Sequence, residues 1–205
     1  MISSLSMISA RSFNSVLTTR RADPAHVDKL QLFGQFVGAW DVDIHSYPPD
    51  GPARRVAGEW HFALVLEGRA IEDVWIAPKR ALRGRAADQP GAPGEYGATL
   101  RFYDPQINAW RSTWHGPVRG VVMTFIGRRV GEEIVLDGSF EPGVATRWIF
   151  SDITDRTFRW RAVQSPDEWR TERKVQEIFA VRQAAARPWF SDLPVARGLP
   201  LRGLI

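Results

Sequence analysis

From Trp40 onward, apolar and polar residues alternate along the chain. Trp40, Val42 and Ile44 interleave with Asp41, Asp43 and His45, the pattern of a strand with one buried and one solvated face. Similar runs follow at about 56–66, 69–77, 97–104, 108–116, 119–130, 132–141, 144–153, 156–164 and 168–181. Turn signals separate them: Glu67-Gly68, Asp104-Pro105, Gly131 and Ser165-Pro166-Asp167. The connections are too short for crossover helices, so neighbouring strands pair antiparallel in an up-and-down meander. A sheet of about ten strands hides its edges by closing. The pattern therefore predicts an all-β, antiparallel barrel.

Before Trp40 the spacing is helical. Asp23 is placed to cap a short helix, Pro24 occupies its first position, and Val27, Leu30 and Phe33 recur on one face. The expected organisation is a disordered extension over 1–22, a barrel domain over 23–182 and a tail over 183–205. One loop, Pro78 to Glu95, breaks the rhythm with Arg80, Arg83, Arg85, Pro90, Gly91 and Pro93, and reads as disordered or lid-like.

Composition narrows the chemistry. The 205 residues contain no cysteine, which excludes disulfides, a thiolate nucleophile and cysteine metal sites. The net charge of +4 superficially suits a nucleic-acid binder. However, six arginines lie in the two tails (11, 20, 21, 187, 197 and 202) against the single acid Asp192. The body is near neutral, so no nucleic-acid partner is expected. No apolar run approaches the roughly 20 residues of a membrane helix, so no membrane partner is expected. Lysine occurs only at 29, 79 and 174, which fits a GC-rich bacterial genome, and the serine-rich N-terminus reads as a plain extension on a cytoplasmic protein.

Phe36-Val37-Gly38-Ala39-Trp40, just after the helix, resembles the Gly-x-Trp signature of lipocalins. With Leu66-Glu67-Gly68-Arg69-Ala70-Ile71-Glu72-Asp73-Val74-Trp75, Arg101-Phe102-Tyr103-Asp104-Pro105, Trp110-Arg111-Ser112-Thr113-Trp114 and Phe158-Arg159-Trp160-Arg161, residues 30–182 resemble a bacterial family of calycin-like barrels (lipocalin and fatty-acid-binding-protein-like). That resemblance implies a barrel with a small-molecule cavity, and it implies no reaction. It also implies an arginine on the final strand packed across the first-strand tryptophan, for which Arg173 is the expected match. Gly38-Ala39-Trp40 with Tyr47-Pro48 resembles the haem barrel nitrobindin as well. Asp41-Val42-Asp43 replaces its glycine-rich strand, and no histidine follows His115, so haem is not expected.

Strand parity assigns faces. Tryptophans share one parity in several strands: Trp40 with Val42, Trp60 with Phe62, Trp110 with Trp114, Trp148 with Phe150, and Trp160 with Phe158. This parity is read as interior. The rule carries Ile71, Asp73 and Trp75 inward, and in the last strand Trp169, Thr171, Arg173, Val175, Glu177 and Phe179. A buried carboxylate needs a partner, and Arg173 is the expected partner of Asp73. In the fourth strand, parity leaves open whether Arg101 and Tyr103 face a ligand or solvent. His115 lies on the outer parity, but a bulge at Gly116-Pro117 would turn it to the barrel mouth. No His-x-His, His-Glu-x-x-His or Gly-x-Ser-x-Gly spacing occurs, so neither a metal nor a hydrolase elbow is expected.

Two functions follow. One is a binding barrel for a largely apolar, aromatic or isoprenoid-like molecule, with Trp60, Trp75, Trp114, Trp148, Arg101, Tyr103 and Glu177 contacting it in a cavity of at least about 300 Å3. The other is a cofactor-independent enzyme (cyclase, isomerase, hydratase or lyase) in which Asp73 or His115 moves a proton and Arg173 stabilises negative charge. A small-molecule ligand is the expected partner, with a homodimer as the expected assembly if the chain oligomerises.

Overall fold

The computed structural model describes residues 12–83, 94–141 and 143–184. Ten strands form a closed antiparallel barrel: β2 (Gly38–Ser46), β3 (Arg54–Val65), β4 (Ala70–Ala77), β5 (Glu95–Asp104), β6 (Ala109–Gly116), β7 (Val121–Val130), β8 (Glu133–Glu141), β9 (Val144–Ser151), β10 (Thr157–Ser165) and β11 (Arg173–Arg182). Each strand pairs with the next along the chain, and β2 pairs with β11 to close the ring. The expected barrel, strand count and antiparallel topology are all present.

The N-terminal segment adds elements that periodicity did not reveal. Helix α1 (Phe13–Leu17) buries no residue, and strand β1 (Thr18–Thr19) follows it. Thr18 and Thr19 pair with Val65 and Leu64 of β3, beyond the point where β2 begins opposite Phe62. Two residues carry no readable alternation, so only the exposed end of β3 explains this strand. Next, Asp23 caps a single turn, as expected, by accepting from the Ala25 amide at 2.9 Å. Gly68 lets the segment pass: a Cβ there would meet the Arg21 carbonyl at 2.1 Å, and its φ is +80°.

Helix α2 (Val27–Gly34) closes one end of the barrel, with Leu30 and Phe33 fully buried. Phe33 packs edge-on to Trp110 at 4.9 Å, and Phe36 meets Phe158 at 4.8 Å and Phe150 at 5.0 Å. The Trp40 indole donates to the Phe36 carbonyl at 2.7 Å. Arg182 lies over Trp40 at 4.0 Å and donates to the carbonyls of Val37, Gln35 and Asp155. The arginine crossing the first-strand tryptophan is therefore Arg182, not Arg173.

That difference has a local cause. Lys174 pairs with Val163 but Gln176 pairs with Ala162, so Val175 is an extra residue in β11. The bulge reverses the parity: Ile178 and Ala180 are buried, while Phe179 is 43% exposed. Residues 168–172 do not extend the strand. Glu168 and Trp169 adopt φ of +56° and +67°, and the Trp169 ring lies under Arg147 at 4.0 Å on the outer surface. The segment Pro78 to Arg83 is held by Arg83, which donates to the carbonyls of Ala77 and Glu95. The expectation for the rest of that loop, the tail beyond 184 and residues 1–11 lies outside the described residues.

Candidate ligand cavity

At the barrel end opposite α2 lies a cavity of about 520 Å3. Its walls carry five of the inward tryptophans. Trp75 contacts Trp114 (6.1 Å between ring centres), Trp114 contacts Trp148 (6.3 Å), Trp148 contacts Trp160 (5.5 Å) and Trp160 contacts Trp60 (6.1 Å). Trp60 and Trp75 are opposed across β3 and β4, which completes a belt of indoles around the barrel. Parity put each ring inward, and closure of the sheet brings them together.

Small residues seat the belt. A Cβ on Gly97 would meet Trp114 Cη2 at 2.4 Å and the His115 carbonyl at 2.5 Å, and one on Gly116 would meet Trp114 Nε1 at 2.9 Å. The Trp114 ring occupies the space these two glycines leave. Three buried polar atoms on lining residues have no protein partner: Trp75 Nε1, Trp160 Nε1 and Thr146 Oγ1. An unsatisfied buried donor is costly, and all three atoms are closed to solvent.

Beneath the belt sits a sealed ion pair. Asp73 and Arg101 are 1% and 0% exposed and paired with one another. The other Asp73 oxygen accepts from Trp60 Nε1 at 2.7 Å. Burial pushes the Asp73 carboxyl above its ordinary range, opposed by the Arg101 charge and by bonds from Trp60 and Thr99. Arg101 lies 5.2 Å from the Phe33 ring centre and 5.9 Å from that of Phe62, while its Nε and Nη2 have no partner among the described residues. Thus Asp73 faces inward as expected, but Arg101 replaces Arg173 as its partner because β4 and β5 are neighbours (Asp73 opposes Thr99).

The remaining candidates are dispersed. Arg101 takes the inward face that parity left open, yet it is closed off from the cavity by the residues above it. Tyr103 sits at the helix end, bonded to Asn108 at 2.6 Å and 5.8 Å from the His26 ring, and does not line the cavity. Glu177 lies on the outer face because of the bulge, where Arg159, Lys174 and Tyr47 hold it. Those cations keep its carboxyl below the ordinary range against the effect of desolvation. His115 remains exposed on the outer face beside Glu72, since β6 keeps its register through Gly116 and no bulge turns it. Arg173 does reach the cavity mouth, where it donates to the Tyr47 carbonyl at 3.0 Å.

Glu95, Thr146 and Arg119, none of them a candidate from the sequence pattern, also stand on the cavity wall. Glu95 is 3% exposed, and its Oε1 accepts from the amides of Tyr96 and Val118, both at 3.0 Å. It stands at the end of the loop that had no periodicity to read. Thr146 shares the inward parity of Trp148 in β9. Among the described residues, no group of three or more metal-ligating side chains converges, and no helix is long and apolar enough to cross a membrane.

The fold is a calycin-like barrel. Ten meandering strands, a helix closing one end and an arginine across the Gly-x-Trp tryptophan carry that assignment. No family model matches the chain. A search of curated proteins finds similarity to the N-acetylneuraminate epimerase of Yersinia enterocolitica, 29% identical over 118 residues, or 51% of this chain. The match spans only 30% of that protein's length. Among solved structures, the chain is similar to the S-type phycobiliprotein lyase CPES from Guillardia theta, with TM-score 0.48, 13% identity, and coverage of 77% of this chain and 92% of that one. It is also similar to Rv2717c from M. tuberculosis, with TM-score 0.48, 12% identity, and coverage of 80% and 99%.

Proposed function

We propose that the protein binds a small, largely apolar, aromatic molecule within the indole belt. The observation that carries this reading is the cavity of about 520 Å3 walled by Trp60, Trp75, Trp114, Trp148 and Trp160. Its size lies inside the usual range for ligand pockets, and large rigid rings with a few unsatisfied polar atoms are the usual lining. Proton transfer by Asp73 or His115 draws less support: Asp73 is closed in with Arg101, and His115 lies on the opposite face of its strand.

Titration with the neutral probe N-phenyl-1-naphthylamine tests the reading. Saturable binding at micromolar concentration, with energy transfer from tryptophan, is expected. Trp114→Ala is expected to weaken it about three- to tenfold, the worth of one aromatic contact. A linear, unsaturable titration of the folded protein would overturn the proposal.

A further inference from the structure

Resting on that binding reading, we infer that the cavity selects organic anions: an aromatic body in the belt and one acidic group at the mouth. The mouth is strongly one-signed. Arg54 at the start of β3, Arg119 in the turn between β6 and β7, and Arg173 at the start of β11 come from three separate hairpins to one opening. Among the described residues, the Arg54 and Arg119 side chains have neither a hydrogen bond nor an ion pair. Among those residues Arg173 donates only to neutral acceptors, the Tyr47 carbonyl and Gln164 Oε1. A fourth guanidinium, that of Arg55, is already tied to Asp43 at 2.7 Å.

Against these charges the lining offers, among the described residues, a single carboxylate, Glu95. One of its oxygens is taken by two backbone amides, and it makes no ion pair among the described residues. The mouth therefore keeps an excess of positive charge above low-dielectric indole walls, an arrangement that concentrates field lines at the opening. Deeper in, the walls are the neutral indoles of the belt. A cation would meet three unneutralised guanidiniums, and a neutral apolar molecule would gain nothing from them. An aromatic acid satisfies both the charged mouth and the indole walls.

Two probes that share one aromatic frame separate the possibilities: neutral N-phenyl-1-naphthylamine and 1-anilinonaphthalene-8-sulfonate. The sulfonate is expected to bind about tenfold more tightly at low salt. That advantage is expected to vanish near 1 M salt, where the Debye length falls to about 3 Å. Arg54→Gln and Arg119→Gln, both exposed, are each expected to weaken the sulfonate about two- to fivefold and leave the neutral probe unchanged. Glu95→Gln is expected to strengthen the sulfonate by a similar factor. Equal affinity for the two probes, or a sulfonate advantage that survives the Arg54→Gln/Arg119→Gln double change, overturns the inference while the binding reading stands. Failure of the neutral probe to bind overturns the binding reading instead.

Discussion

At the scale of single residues, the costliest arrangement is the Asp73–Arg101 pair. Both groups are desolvated, and Arg101 retains two unpartnered nitrogens, so the Coulombic gain is set against a large penalty. Removing one partner leaves the other charge buried and alone. Asp73→Asn is accordingly expected to destabilise the fold by about 3–5 kcal/mol, read from urea denaturation. The double change Asp73→Leu/Arg101→Met is expected to recover most of that loss, and a double variant no more stable than Asp73→Asn would show that the pair itself holds the fold. Gly97 illustrates the opposite constraint, since space there is already spent on Trp114. Gly97→Ala forces that ring to move and is expected to cost about 1–3 kcal/mol. A Gly97→Ala protein with wild-type stability and wild-type probe affinity would refute the seating of the belt described above.

At the scale of elements, the barrel is anchored from outside as well as from within. Glu59 on the outer face of β3 is 8% exposed, because the single turn Arg80–Leu82 after β4 folds across it. Desolvation pushes its carboxyl up. The Arg80 guanidinium, the His61 ring and the Arg80 amide outweigh that and bring it down to about 2. A carboxyl whose folded-state value lies below its unfolded 4.5 stabilises the fold above that pH and loses the contribution as pH falls from about 4.5 to about 2. The stability difference between wild type and Glu59→Gln is therefore expected to be full at about pH 7 and nearly gone at about pH 2. A gap that stays constant across this range would assign it to packing instead. Helix α2 makes the complementary internal anchor through Phe33. Phe33→Ala is expected to cost about 3–5 kcal/mol, measured by the same denaturation.

At the scale of the whole molecule, closure leaves no unpaired strand among β2–β11, and β1 covers the short end of β3 that β2 does not reach. Tryptophans lie at both ends of the barrel, Trp40 and Trp110 near α2 and the belt around the cavity. Unfolding followed by tryptophan fluorescence and by far-ultraviolet circular dichroism is therefore expected to coincide in one transition. Two separated transitions would mean that the cavity end opens independently. The local pattern of alternation and turns sufficed for the strand count, the antiparallel meander, the helix cap at Asp23 and the inward tryptophans of β2 to β10, whereas Trp169, which the same parity carried inward, lies outside under Arg147. It also put Asp73 inside. It did not determine which arginine meets which partner. Arg182 rather than Arg173 covers Trp40, and Glu177 faces outward, because one extra residue at Val175 reverses parity and a bulge carries no alternation signal of its own. Likewise Arg101 reaches Asp73 only because their strands are neighbours in the closed sheet. The belt is a fact of closure too: five indoles spread from residue 60 to residue 160 become one wall only when the barrel closes.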